Sequence, residues 1–258
     1  MVKAGWTPVE ITGTAGAAPI VLVCEHASCA IPADLDGLGL DAQAREAHVA
    51  WDIGAAALAR RLSQRLEAPL VSGALSRLVY DCNRPLSAPD CIPARSERYD
   101  IPGNRDLDDA ARRERYVRVH EPFHGALEEI CRRQTARCGE TISLITVHSF
   151  TPVYLGVRRS VEIGFLHHDD PALARAALAA EAARGRYRAA LDEPYAASDG
   201  VTYTLARHGE AEGRRAVMIE VRNDLIATDE AAERMGDRLA QTLARALAAS
   251  IQPAGAPR

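Results

Sequence analysis

The chain has 258 residues, 47% of them hydrophobic and 26% charged, and a formal net charge of −4. That is enough chain for a full hydrophobic core, and the slight acidity gives no footing for nucleic acid or an anionic membrane as main partner. No apolar run approaches the roughly 20 residues of a membrane span, and Met1–Ile11 lacks a signal-peptide core, so the expectation is a soluble cytoplasmic protein.

Pro19–Cys24 is a continuous apolar run and reads as a buried strand. A polar turn leads into a helical stretch over Asp41–Leu66, with Ile53, Leu58, Leu62 and Leu66 at roughly helical spacing and Arg60, Arg61 and Arg65 on another face. Pro69 ends it, Leu70–Leu75 reads as the next strand, and Leu78–Asp81 as a second short extended piece. Residues 85–106 hold four prolines and a glycine among many charges, the pattern of a long ordered loop that serves as a lid or binding loop. A long helical segment follows from about Asp108 to Arg137, then strands at Ile142–Val147 and Val161–Leu166. Pro171–Arg184 is an alanine-rich helix, Val201–Ala206 begins a short helix or strand, and Ala216–Val221 is the last strand. Asp229–Ser250 reads as a helix with Asp229 and Glu230 suited to its N-terminus, and the tail Gln252–Arg258 as frayed. The alternation predicts an α/β fold with a mostly parallel sheet, in one domain over residues 1–258 with a core at about 18–251.

Three of the predicted strands run into residues that carry chemistry: Glu25-His26, His148-Ser149 and Glu220. In open α/β sheets the strand C-termini share one edge, and ligands bind in the crevice outside it. Two histidines and a glutamate delivered there suit a metal-activated water and a general base. The third ligand should be a carboxylate or histidine on a neighbouring element. Asp52, in the early part of the first predicted helix, is the candidate, with His48 one turn before it. A carboxylate at the end of an apolar strand needs a basic partner or a function. For Glu220 the partner would be Arg222 or Arg77; the function would be to take a proton from water and return it to a leaving nitrogen. Arg77, Asn83 and Arg84, in the run Ser76–Pro85, form a clamp suited to a carboxylate or an oxyanion, with Asp81 expected to pair with one of the arginines.

A competing motif is present. His120-Glu121-Pro122-Phe123-His124 satisfies H-E-x-x-H, the zinc-protease pattern. It needs an uninterrupted helix, and a proline inside one costs about 3 kcal/mol or more. Pro122 is at ease only near a helix start, which leaves His120 outside the regular turn. His167-His168-Asp169-Asp170 reads as caps and solvated turn. No glycine spacing fits a phosphate loop, and Ser28 and Ser149 lack the G-x-S-x-G elbow. The six cysteines (24, 29, 82, 91, 131 and 138) form no C-x-x-C pair, which fits reduced thiols and leaves Cys82 as a remote candidate nucleophile.

The run Val21–Ser28 with Ile31-Pro32, and Ser76–Asp81 with Asn83-Arg84-Pro85, resemble the N-formylglutamate amidohydrolase family. So do Pro122-Phe123-His124, Val147-His148-Ser149, Glu162-Ile163-Gly164, Glu193-Pro194-Tyr195 and Ile219-Glu220-Val221, in family order over roughly residues 20–225. The resemblance implies an α/β domain with a mixed sheet between helices, similar to zinc carboxypeptidases and zinc amidases. It implies zinc held by His26, Asp52 and His148, Glu220 as acid/base together with Arg77 as a catalytic residue, and Arg77, Asn83, Arg84 and Ser149 at the substrate. Family members often carry Pro-His-Ser/Val-Gly at the first site, whereas this chain has Glu25-His26-Ala27-Ser28. The implied reaction is hydrolysis of a small N-acyl amino acid, such as N-formyl-L-glutamate, to formate and the free amino acid, with Zn²⁺ or another divalent metal. The rival readings are a metallopeptidase or amidase on the same scaffold, and a metal-free protein that binds acidic metabolites through its arginines.

Overall fold

Strand β2 (Ile20–Cys24) is buried along its whole length, as a strand must be when both faces of its sheet are covered. The same holds for most of β6 (Ser143–Phe150) and β11 (Arg215–Arg222), whose apolar runs show no polar alternation. The structure is a computed structural model that describes residues 5–13, 16 and 18–250, so the expected frayed tail Gln252–Arg258 lies outside the described residues. The other strands are β1 (Val9–Thr12), β3 (Leu70–Gly73), β9 (Ile163–Leu166) and β10 (Ala189–Leu191), with two small hairpins, β4–β5 (Arg95–Ser96, Tyr99–Asp100) and β7–β8 (Val153–Tyr154, Val157–Arg158).

The main sheet has seven strands in the order β1-β3-β2-β6-β11-β9-β10. β3, β2, β6 and β11 are mutually parallel; β1 joins β3 antiparallel, and β9 joins β11 antiparallel with β10 parallel beside it. The sheet is therefore mixed and mostly parallel, the expected class. Helices α2 (Ala55–Leu66), α5 (Ala172–Ala182) and α6 (Asp229–Ser250) cover one face, through Leu58 and Leu62, Leu173 and Ala177, and Leu239 and Leu243. The other face is covered by α4 (Glu121–Cys138), through Phe123, Leu127 and Cys131, and by the buried loop that holds Leu78, Val79, Tyr80 and Ile92. No helix among the described residues is long and apolar enough to cross a membrane.

Two expectations are corrected. The helical stretch Asp41–Leu66 is not continuous: α1 covers Ala42–Glu46, α2 begins at Ala55, and Asp52 sits in the turn between them. The break has a cause in Gly54, whose φ is 82° and whose position leaves no room for a Cβ, which would lie 2.2 Å from the Ile226 carbonyl oxygen. The backbone N–H of Asp52 donates to the His26 carbonyl (3.0 Å), pinning this turn to the end of β2. Leu78–Asp81 is a turn rather than an extended piece, closed by the Val79 N–H on the Ser76 carbonyl (2.9 Å). Its apolar residues are buried under the loop, which imitates a strand pattern.

The long helical segment begins at α3 (Asp109–Arg115), passes through a π-helical turn at Tyr116–His120 and continues without a break as α4, so a third expectation is corrected: Pro122 does not start the helix, and His120 keeps helical backbone (φ −68°, ψ −50°). The 201–206 segment leads into a π-helical turn at Leu205–Gly209. Residues 151–162 link β6 to β9 and carry the β7–β8 hairpin, with Val153, Leu155 and Val157 exposed.

Candidate active site

Because β2, β6 and β11 are parallel neighbours, the residues at their C-terminal ends meet at one edge. His26 leaves β2 just past Cys24, while His148 and Glu220 are register partners within β6 and β11, strands that run on to Phe150 and Arg222. Both side chains therefore point to the same face. Asp52 enters from the turn before α2. His26 Nδ1 lies 3.3 Å and His148 Nδ1 2.8 Å from the same oxygen, Asp52 Oδ2. All three residues are buried.

Each imidazole is gripped on its far side too. His26 Nε2 lies 2.8 Å from Asp81 Oδ1, and His148 Nε2 lies 3.1 Å from Glu25 Oε2. Arg77 links the two aspartates, donating to Asp81 Oδ2 from Nη2 (2.6 Å) and to Asp52 Oδ1 from Nη1 (3.4 Å). The expected pairing of Asp81 with an arginine is present; its contact with His26 was not foreseen. The Ser149 N–H donates to Asp52 Oδ2 (3.3 Å), and its hydroxyl to the Ile53 carbonyl (2.8 Å).

These contacts set the electrostatics. Burial works against charge on both rings; for His148 the Glu25 charge and the Asp52 hydrogen bond outweigh it, and for His26 the charges of Asp81 and Asp52 do so against burial and Arg77. Both imidazoles therefore titrate above their ordinary value. Asp52 is held far below the usual carboxylate range because the two rings outweigh its burial, and Asp81 is lowered in the same way by Arg77 and His26. Glu220 behaves oppositely. Burial, reinforced by the Asp52 charge, pushes its carboxyl up to about 7 against the pull of His148, His26 and Arg77. Its Oε2 is buried without a hydrogen-bond partner. Arg222, the alternative partner, is taken by Asp224 and Glu162.

The cleft above this edge has a volume of ≈ 340 Å³, the low end of the range for small-molecule sites. His26, Asp52, Arg77, Asn83, Arg84, His148, Ser149 and Glu220, every residue predicted for the site, line it. Asn83 is committed to the backbone, donating from Nδ2 to the Val201 carbonyl and accepting from the Thr204 N–H (3.0 Å). Arg84 Nε pairs with Asp90 (2.8 Å). The 85–106 loop supplies Asp90, Pro93, Arg95, Ser96 and Glu97 to the cleft, and Glu97 is paired with His48 at 2.7 Å. Tyr195, from the Glu193-Pro194-Tyr195 run, and Tyr154, which no sequence pattern singled out, also line it.

The donor set fits a divalent cation. One ligand atom each from His26, Asp52 and His148 lie within 4.8 Å of one another, and the outer nitrogens of both rings face carboxylates, the arrangement that aims an imidazole at a metal. The H-E-x-x-H histidines do not fit one. His124 Nε2 donates to the Cys82 carbonyl (2.8 Å), which leaves its Nδ1 to accept from His208 Nε2 (2.8 Å). His120 Nε2 meets the Tyr203 hydroxyl at 3.2 Å, and Glu121 faces solvent. A second grouping, His168, Asp169 and Glu210, lies at the opposite sheet edge, because β9 runs antiparallel to β11. There Glu210 accepts the N–H groups of Asp169 (2.8 Å) and Asp170 (2.9 Å), the turn role expected of this cluster. Cys82 is buried and its thiol is pushed well up, which removes it as a nucleophile.

A mixed α/β sheet with a buried histidine–carboxylate cluster and an unpartnered glutamate oxygen at one edge has the layout of a hydrolytic site. The sequence model of the N-formylglutamate amidohydrolase family matches residues 18–227. The chain belongs to that family, and is a hydrolase of amide bonds. Among solved structures it is similar to gene product Atu2144 from Agrobacterium tumefaciens, at 43% identity over 98% of this chain and 99% of that one, with a TM-score of 0.92. N-formylglutamate amidohydrolase from Ralstonia eutropha JMP134 shares the fold, at 20% identity over 94% of this chain and 98% of that one, with a TM-score of 0.72. No curated protein matches the sequence.

Proposed function

We propose that the chain is a single catalytic domain that hydrolyses N-formyl-L-glutamate, or a closely related N-acyl amino acid, to formate (or the matching acid) and the free amino acid, using Zn²⁺ held by His26, Asp52 and His148. The observation that carries this reading is the convergence of two imidazole Nδ1 atoms on one Asp52 oxygen, beside a buried glutamate with no partner on Oε2. Zn²⁺ suits a His-His-Asp set with an open position, with Co²⁺, Mn²⁺ and Fe²⁺ as competitors. The chemistry supplied by a bound cation is Lewis acidity toward the acyl oxygen and a lowered pKa for water.

Glu220 does the proton work. With a carboxyl that titrates at about 7, it takes a proton from the attacking water and gives it to the departing nitrogen at neutral pH. Arg77 and Arg84 bring positive charge to the cleft for the substrate carboxylate and the oxyanion, and Asn83 and Ser149 frame the wall between them. Asp81 orients His26. A cleft of ≈ 340 Å³ suits a small acylated amino acid.

The test is metal content by elemental analysis, with formate release from N-formyl-L-glutamate, on three proteins: wild type, His26→Ala/His148→Ala, and His120→Ala/His124→Ala. The first double variant should lose its metal and more activity than the roughly 100-fold that loss of an outer partner costs. The second should keep its metal. Metal loss confined to the second variant would overturn the assignment. Metal without formate release would remove the substrate and leave the centre.

A further inference from the structure

Glu25 is a buried carboxylate at this edge that does not face the cleft. Its side chain has 0% exposure and is not part of the cleft lining, yet its Oε2 lies 3.1 Å from His148 Nε2. The placement follows from the sheet. Val23 of β2 is registered with Thr146 of β6, and two residues further along both strands bring Glu25 beside His148, on the face shared with Glu220. A buried ionised carboxylate is costly unless it is matched. The polar group it meets here is the outer nitrogen of a proposed metal ligand.

We propose that Glu25 is a positioning residue for His148: its carboxylate, 3.1 Å from Nε2 in an ion-pair contact outside hydrogen-bond geometry, favours hydrogen on that nitrogen and so leaves the Nδ1 lone pair for the cation. This rests on the metal-centre reading above. Asp81 holds His26 Nε2 more closely, in a hydrogen bond of 2.8 Å, so a carboxylate stands outside each ring. The two supports differ in what stands behind them. Asp81 is neutralised by Arg77, whereas Glu25 has no arginine or lysine paired with it among the described residues. Its charge therefore faces His148 with no guanidinium to share it, so its removal should be felt at that ring.

The experiment uses the full chain stripped of metal. Zn²⁺ is titrated into wild type and Glu25→Gln against a chromophoric chelator, and the histidine ¹⁵N spectrum of the Zn²⁺-loaded protein is recorded. Wild type should bind one equivalent, Glu25→Gln should bind it about 10- to 100-fold more weakly, and the spectrum of wild type should show His148 with hydrogen on Nε2 and none on Nδ1. Affinities within twofold of each other would overturn the proposal. Should Glu25→Gln fail to fold, the wild-type spectrum decides alone: hydrogen on His148 Nδ1, with Nε2 bare, overturns it. Wild type that takes up no Zn²⁺ removes the metal centre itself and the role of Glu25 with it, whereas a normal wild type with an unaffected variant removes only Glu25.

Discussion

The chain buries histidines in two places, and the two are opposites. At the sheet edge, His26 and His148 each touch two carboxylates and titrate above the ordinary value. Beneath the 78–84 turn, His120, His124 and His208 touch one another, Tyr203 and a carbonyl. Burial there has no carboxylate against it strong enough to win, so His120 falls to about 3, His208 to about 4 and His124 well below the usual range. The second group carries the better-known motif and the first carries the better ligands. Metal capacity is decided by what holds the far nitrogen of each ring: a carboxylate frees the near nitrogen for a cation, whereas at His124 a carbonyl and a neighbouring ring take both.

The comparison breaks hardest at Glu220, the group at the edge that the histidines do not neutralise. Glu220→Gln should lower kcat by roughly 10²- to 10⁴-fold, the usual contribution of a general base, while metal content stays at the wild-type level; loss of the metal instead would make Glu220 a ligand. For wild type, kcat/KM should fall tenfold per pH unit below about 7, as Glu220 becomes protonated. A divalent cation brings the same two positive charges as the two imidazolium protons it displaces, so this limb should persist in the loaded enzyme.

Stability against pH sharpens the contrast further. The folded trio refuses protons that the unfolded chain accepts below about 6.5, so its contribution is present above that pH and is lost on acidification toward 4. The edge pair has the reverse sign in metal-free protein, with stability present at low pH and lost as pH rises through its raised values. Thermal melts of metal-free wild type and His120→Gln/His208→Gln between pH 7 and 5 isolate the trio. Wild type should lose more, by on the order of 1 kcal/mol per pH unit for each ring. Coincident slopes would show that these rings are not excluded from protonation.

The smallest effect is expected at Glu121, the would-be base of H-E-x-x-H. It is exposed, with only Arg113 nearby at 3.9 Å. Glu121→Gln should leave kcat/KM within about twofold, in keeping with a surface substitution. A tenfold loss would reinstate the protease motif.

Much of this contrast was legible in the residues. β2, β6 and β11 are covered on both faces, so each advertises itself as an unbroken apolar run, and their endings name His26, His148 and Glu220. Helix α6 begins and ends where its caps and periodicity place it, at Asp229–Ser250. Pro122 did not break the rival motif's helix as expected; that motif fails because His124 is tied to a carbonyl and to His208 and because Glu121 is exposed. What escaped notice depends on tertiary contact. Alanines in Ala42–Ala59 satisfy a helical period almost anywhere, so only the positive φ of Gly54 and its contact with Ile226 explain the break beside Asp52. β1 is four residues with an outward Ile11, and β10 is Ala-Ala-Leu; both are strands because a neighbour pairs with them. The contact of Asp81 with His26 spans 55 residues, and no local pattern announces it. Glu25 was visible as a neighbour of His26, and strand alternation sends it away from that ring, onto the next histidine.

β9 enters the sheet from the same edge at which β6 leaves it, with β11 lying between them. The 151–162 connection therefore spans the end of β11, and the Arg222 N–H ties that end to the Glu162 carbonyl at 3.0 Å. It is a strap over the end of the strand that carries Glu220. Residues inserted into or deleted from its exposed hairpin would raise or lower the roof of the cleft without shifting one strand against another. Substrate choice in this architecture is thus free to diverge by changes in loop length, while the chemistry below stays as it is.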